Sequence, residues 1–349
     1  MNHPPAMTLR FPAEWEPQDA VLLAWPHEQT DWQPILQQVF RVYIELVRQI
    51  SRFEAVIIIT PQPKGVQVLL TNEQIDLTQI FIVSIETNDT WVRDFGPITI
   101  FSNNRPVFLD FTFNGWGGKF AAEKDNQATK QLNQITALQN CRYKKIALTL
   151  EGGSIESDGA GTLLTTSACL LNPNRNPHLD KNGIIAELKK HFGCDHILWL
   201  DHGWLAGDDT DSHIDTLARL CPDNTILYVR CDDKKDQHYT ELKRMEQQLQ
   251  EFTTRTDAPF QLIPLPWPQA HFDEGERLPA TYANFLVING AVLVPTYDDP
   301  ADELALSTIS QVFPDRDIIG IDCQTLIKQH GSLHCITMQL PQGILSWTH

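Results

Sequence analysis

The sequence predicts an α/β fold, and three observations carry that reading. Short apolar runs of strand character alternate with longer runs of helical period. Pairs of strand-like runs also follow one another with no helix between them, which a plain doubly wound sheet does not accommodate. Unusual polar residues stand beside strand-like runs at Asp94, Glu151, His213, Asn284 and Cys335, with gaps of 57, 62, 71 and 51 positions. That spacing divides the chain into about five similar units of supersecondary size. If the units close into a ring, strand-end residues far apart in sequence meet at its axis.

In chain order, the strand-like runs are EAVIIIT (54–60), IFIVSI (80–85), GPITIF (96–101), KKIALTL (144–150), HILWL (196–200), NTILYV (224–229), NFLVINGAVLVP (284–295) and DIIGI (317–321). The run PILQQVFRVYIELVRQISRF (34–53) sets Ile35, Val39, Val42, Leu46, Ile50 and Phe53 on one helical stripe, with Pro34 in the first turn. KNGIIAELKKHFG (181–193) predicts a helix closed by Gly193. DQHYTELKRMEQQLQEF (236–252) is more polar, which places that helix outside. DPADELALSTISQVF (299–313) offers Asp299 as N-cap and Pro300 as first helical residue. In GSLHCITMQLP (331–341), Leu333, Cys335, Thr337 and Gln339 alternate with His334, Ile336, Met338 and Leu340, a strand entered through Gly331. PQAHFDEGERLPATY (268–282) reads as a long surface loop. No linker interrupts the pattern, so residues 1–349 read as one domain of five pseudo-repeats.

Composition narrows the function classes. With 42% apolar and 20% charged residues, the chain has the balance of a soluble globular protein. Charges or prolines interrupt every apolar run before it reaches membrane-spanning length. The opening MNHPPAMTLRFPAEW lacks the layout of a signal peptide, so a cytoplasmic location without membrane association is expected. A net charge of −17 argues against a nucleic-acid partner and favours a cationic ligand. The seven cysteines are odd in number and contain no C-x-x-C pair, which argues against a zinc ribbon and a disulfide framework. There is no P-loop, G-x-G-x-x-G or G-x-S-x-G motif, and no residue pattern requires a metal or other cofactor.

Four segments could carry chemistry, each with a structural competitor. TNDTWVRDFGPITI (87–100) holds Trp91, Arg93 and Asp94 before a Gly-Pro turn, where an Arg–Asp pair could simply staple the turn. LTLEGGSIESDGAGTLLTT (148–166) sets Glu151 against two glycines, as a site or as the cap of a hairpin turning at 158–161. GWLAGDDTDSHIDTLARL (203–220) frames His213 with Asp208, Asp209, Asp211 and Asp215 but lacks the sixth-position glycine of a calcium loop. His213 and Asp215 share one face if that segment is extended. Cys335 is either a small buried apolar residue or a nucleophile.

A thiol, a histidine and three carboxylates without a cofactor fit one reaction well: attack on a guanidinium. That group is planar, permanently cationic and forked, so paired carboxylates grip it through parallel N–H···O bonds. Its carbon is a poor electrophile that requires a strong, soft nucleophile. A thiolate supplies that nucleophile, and a histidine can protonate the departing ammonia and then activate water.

The motifs WVRDFGP (91–97), FNGWGGKF (113–120), LEGGSIESDGAGTLLTT (150–166), LLNPNRNP (170–177), DDTDSHIDTLAR (208–219), NFLVINGAVLVPTYDDPADELAL (284–306) and HCITMQLP (334–341) resemble the agmatine deiminase and bacterial-type peptidylarginine deiminase family. FPAEWEPQDAVLLAWP (11–26) and FPDRDIIGID (313–322) extend the resemblance over essentially the whole chain in the same order. It implies the fold of the guanidine-modifying superfamily, a five-bladed α/β propeller with pseudo-fivefold symmetry. It also implies Cys335 as nucleophile and His213 as acid–base. Asp94 and Asp215 would be the guanidinium clamps, Glu151 would orient His213, and Trp91 would lie beside the substrate's alkyl chain. Trp116 and Asp299 are candidate contacts for the substrate tail. The expected reaction is hydrolysis of agmatine, a small cationic guanidine, to N-carbamoylputrescine and ammonia without a metal. Deimination of free or peptidyl arginine is the alternative, and a guanidinium-binding protein without activity is a third reading. The family habit and the polar loop at 268–282 favour a homodimer. HGSL (330–333), HIDT (213–216) and TTSACLLN (165–172) depart from the usual agmatine deiminase wording and alter the walls around the set.

Overall fold

The computed structural model describes residues 8–346. Strands β1 (Leu9–Arg10) and β2 (Gln18–Ala24) open that span, and the helix Leu36–Ile50 carries the chain to β3 (Ala55–Thr60). The helix buries Val39, Val42, Tyr43, Leu46, Val47 and Ile50, and every residue of β2 and β3 is buried. Strands covered on both faces need continuous apolar sequence, as AVIIIT supplies. The helix Pro63–Asn72 leads to β4 (Ile80–Ser84), parallel to β3.

The same unit then recurs: an antiparallel pair, a crossover, and a strand parallel to the second. β5 (Ile98–Ser102) and β6 (Arg105–Thr112) turn at Asn103 and Asn104, both left-handed with φ 50 and 60, and β7 (Arg142–Thr149) runs parallel to β6. β8 (Ile155–Ser157) pairs antiparallel with β9 (Thr162–Thr166), and the helix Lys181–Phe192 connects β9 to its parallel neighbour β10 (His196–Leu200). That helix is capped by Asp180, which accepts from Gly183 N at 2.8 Å, and closed by Gly193 at φ 68.

β11 (Ala218–Cys221), β12 (Thr225–Val229), the helix Tyr239–Glu251 and β13 (Gln261–Leu265) repeat the pattern. A small hairpin, β14 (Phe272–Asp273) with β15 (Glu276–Arg277), lies within the predicted surface loop. β16 (Leu286–Ile288), β17 (Ala291–Thr296), the helix Asp302–Val312 and β18 (Asp317–Asp322) form the next unit. Finally β19 (Thr337–Pro341) lies antiparallel to β2, so the last described strand joins the sheet of β2, β3 and β4. The result is a mixed α/β fold with five sheets of three or four strands besides the small hairpin.

Four local expectations are corrected. The run 284–295 is a hairpin bent at Asn289–Gly290, with Gly290 at φ 72. Asp299 is not the N-cap: the helix starts at Asp302 after Ala301, while Asp299 accepts from Ala301 N at 2.8 Å. His213 and Asp215 lie at a 3-10 turn, Ile214–Thr216, not on an extended segment. Strand β19 begins only at Thr337, which leaves Cys335 in the segment ahead of it. Among the described residues, all seven cysteines are free and buried, and no helix is long and apolar enough to cross a membrane.

Candidate active site

Each of the five recurrent positions lies in the segment that leads into the first strand of a sheet unit. Asp94 sits in the helical turn Val92–Phe95 before β5. Glu151 precedes the turn Gly152–Ser154 and β8. His213 and Asp215 precede β11, Asn284 precedes β16, and Cys335 precedes β19. These lead-in segments converge. Cys335 Sγ lies 3.4 Å from Asn284 Oδ1 and 4.0 Å from Asp215 Oδ2. His213 points Nδ1 at Asp94 Oδ1, 3.5 Å away, and Nε2 at Glu151 Oε2, 3.9 Å away.

Glycines make the convergence sterically feasible. A Cβ on Gly153 would lie 2.7 Å from His213 Nδ1, 2.8 Å from Asp94 Oδ1 and 3.1 Å from Asp215 Oδ2. A Cβ on Gly331 would lie 2.1 Å from the Trp91 ring. Gly331 is therefore small because the indole lies against it, which its sequence context did not reveal.

Hydrogen bonds aim the carboxylates. Asp94 Oδ1 accepts from Gly153 N and Oδ2 from Trp116 Nε1, each at 2.9 Å. Asp215 Oδ2 lies 2.7 Å from His334 Nδ1, while its buried Oδ1 has no hydrogen-bond partner among the described residues and is open to a ligand. The two acids are tuned in opposite directions. Burial, reinforced by Asp215 and Glu151, raises Asp94 above the usual carboxylate range against the pull of His213. Burial also opposes the charge on Asp215, but the hydrogen bond and charge of His334, with His213 and Arg219, hold it below that range. The Cys335 thiol is pushed well up by burial, then by Asp215 and Asp94.

A cavity of about 240 Å³ opens onto Cys335 and Asp94 and is walled by Trp91, Trp116 and Phe120. Asp31, Asp89, Asp208 and Asp209 also line it, with Lys328 and His330 as its basic lining residues. Burial pushes Asp89 up to about 7, with Asp31 adding to the shift. Asp299 does not line this cavity, because its second oxygen accepts from Gln269 N at 2.8 Å. That corrects its assignment as a tail contact.

Several residues at the site had no role in the sequence reading. Asn284 Oδ1 accepts from His334 N at 2.9 Å and Cys335 N at 3.3 Å, and its Nδ2 donates to Asp215 O at 3.3 Å. The recurrent spacing marked Asn284 without saying what it does. Behind Asp215, His334 Nε2 lies 2.7 Å from Glu14 Oε2. Arg219 and Arg93 approach the same oxygen at 3.1 and 3.6 Å. Glu14 stands 320 positions before His334, so no local pattern joins them. Arg175 Nε donates to both Glu151 oxygens at 2.9 Å. Glu151, Cys169 and His213 offer ligand atoms within 4.8 Å of one another, but a metal ion there would compete with that guanidinium for Glu151.

The family model for Porphyromonas-type peptidyl-arginine deiminase matches residues 10–341. The agmatine deiminase of Pseudomonas putida strain KT2440 is 32% identical, with 98% of each chain covered. A substrate-bound serine-for-cysteine variant of C. jejuni agmatine deiminase is 41% identical with a TM-score of 0.91, covering 99% of each chain. A Porphyromonas gingivalis protein with the provisional name arginine deiminase is 49% identical with a TM-score of 0.93, covering 97% of this chain and 100% of that one. By the extent of these matches, the chain belongs to the Porphyromonas-type peptidyl-arginine deiminase family.

Proposed function

We propose that this protein is an agmatine deiminase, which hydrolyses agmatine to N-carbamoylputrescine and ammonia. The observation that carries the reading is one buried convergence of Cys335, His213, Asp94, Asp215 and Glu151 beside an acidic cavity. Asp94 and Oδ1 of Asp215 grip the guanidinium and hold its carbon before Cys335 Sγ. Cys335 gives its proton to His213 as it attacks, which forms a C–S bond and a tetrahedral centre. His213, supported on its far nitrogen by Glu151, passes a proton to the departing ammonia and leaves a thiouronium on Cys335. Water deprotonated by His213 then attacks that carbon, and the thiol departs as the ureido product forms.

The five sheet units support a five-bladed propeller over a single domain, residues 1–349, with the lead-in segments at its axis. The resemblance also supports a cytoplasmic homodimer. The cavity favours agmatine over arginine. Arginine carries a carboxylate at the end of its alkyl chain, and Asp31, Asp89, Asp208 and Asp209 outnumber the basic lining residues Lys328 and His330. Agmatine ends in an ammonium, which those aspartates attract. Trp91 and Trp116 supply apolar walls for the methylenes between.

The test is ureido-product formation with agmatine, free arginine and a peptide ending in arginine offered side by side. Turnover of agmatine, lost in Cys335→Ser, supports the reading. Preference for a carboxylated substrate keeps the chemistry and overturns the name. No turnover of any of the three overturns the enzyme.

A further inference from the structure

Arg175 is fully buried and reaches two places that the proposed chemistry needs. Its Nε donates to both Glu151 oxygens at 2.9 Å. One terminal nitrogen donates to Asp211 Oδ2 at 2.7 Å and the other to Thr210 O at 2.9 Å. The turn it grips is strained: Asp211 and Ser212 are consecutive non-glycine residues at φ 66 and 67. Side chains adopt that region at a cost, and they keep it where the surroundings enforce it. The next residue is His213.

A second cation closes the turn from outside. Lys119 Nζ lies 2.9 Å from Asp211 Oδ1 and 2.5 Å from Asp209 O. Lys119 belongs to the loop in which Trp116, itself at φ 55, donates to Asp94. A continuous path of contacts therefore runs Lys119–Asp211–Arg175–Glu151 and ends facing His213 Nε2, a buried nitrogen without a hydrogen-bond partner.

We propose that Arg175 is a positioning residue for the reaction. Its guanidinium fixes the Glu151 carboxylate behind His213 and the strained turn in front of it, so that the ring stays aimed between Asp94 and Glu151. Lys119 extends this clamp to the Trp116 loop. The inference rests on His213 being the proton carrier of the deiminase reading. Lysine cannot replace Arg175, because one ammonium does not reproduce a planar fork aimed at three acceptors.

The experiment compares Arg175→Gln, Arg175→Lys and Lys119→Met. It follows kcat, KM and the His213 ring by NMR of 15N-histidine protein, assigned with His213→Gln. The charged and titratable groups around that ring are Asp94, Asp215, Glu151 and Cys169, with Arg175 and Asp211 behind Glu151. In Arg175→Gln the Glu151 carboxylate loses the donor that holds it behind His213, so the ring's 15N resonances shift and broaden at fixed pH. Arg175→Lys keeps the positive charge, yet kcat falls about 100-fold because the fork is lost. Lys119→Met loosens the same turn from outside, so kcat falls and KM rises, each by a smaller factor than the kcat loss in Arg175→Lys.

An unshifted His213 in folded Arg175→Gln overturns the clamp, as does full kcat in Arg175→Lys. If Arg175→Gln fails to fold, Arg175→Lys decides through kcat. A shifted ring in a protein that turns over no agmatine overturns the deiminase reading and leaves the clamp standing.

Discussion

Gly153 has no side chain because three polar groups already occupy the space a Cβ would need. Gly153→Ala therefore displaces His213 Nδ1, Asp94 or Asp215 by a few tenths of an ångström or more. Misplacement by about 1 Å costs about 100-fold in kcat, so a loss of about 10-fold or more is expected here, while overpacking costs about 1–3 kcal/mol of stability. Steady-state kinetics beside urea unfolding checks both, and near-wild-type kcat would refute the crowding argument. Cys335 gives the second residue-scale prediction. With burial and two carboxylates raising its thiol, the thiolate is scarce at neutral pH and grows as pH rises. Alkylation by iodoacetamide without substrate should be slower at pH 7 than that of an ordinary free thiol. It should then climb about tenfold per pH unit beyond about pH 9. A plateau already reached near neutrality would mean a pre-activated thiolate and sink the account.

The lead-in segments, more than the strands, build the site, and the sequence reveals them least. The helix Lys181–Phe192 was legible because its signals are local: Asp180 caps one end and left-handed Gly193 closes the other. Residues 331–336 keep a strand's alternation yet form no strand. Asn284 takes the His334 and Cys335 N–H groups, Trp91 packs on Gly331, and the ladder to β2 starts at Thr337. Such partners lie 50 to more than 200 positions away, beyond any local pattern. The proposed catalytic residues stand out by motif, whereas the pairing of Glu14 with His334 exists only in space. The lead-ins also set a pH linkage. Asp94 is raised and Asp89 is pushed up to about 7, so both hold protons more readily than ordinary carboxylates. A bound dication favours their charged forms, so binding releases protons and Kd falls as pH rises from about 6 to 8. Calorimetry of agmatine binding to Cys335→Ser in buffers of different ionisation enthalpy checks this. Proton uptake, or no proton exchange, would contradict it.

At the scale of the whole molecule, β2 and β19, more than 300 positions apart, share one sheet. β19 lies against β2, and the segment just beyond it is pinned by Asp19, whose Oδ2 accepts from Gly343 N, Ile344 N and Leu345 N at 2.9, 2.8 and 2.8 Å. Arg316 adds a tie to Trp15 O at 2.6 Å. This arrangement positions Cys335, because the segment that holds it runs directly into β19. Stability and activity are therefore coupled at Asp19, although it touches none of the proposed catalytic groups. Asp19→Ala leaves three N–H groups without their shared acceptor and costs about 2–4 kcal/mol. Asp19→Asn retains one acceptor oxygen and costs less. Urea unfolding ranks the variants. Cys335 alkylation in mild urea, below the global transition, then shows whether the C-terminal strand opens first. In Asp19→Ala the thiol should become reactive before the fold is lost. Simultaneous exposure and unfolding would mean that the last strand detaches only with the whole molecule.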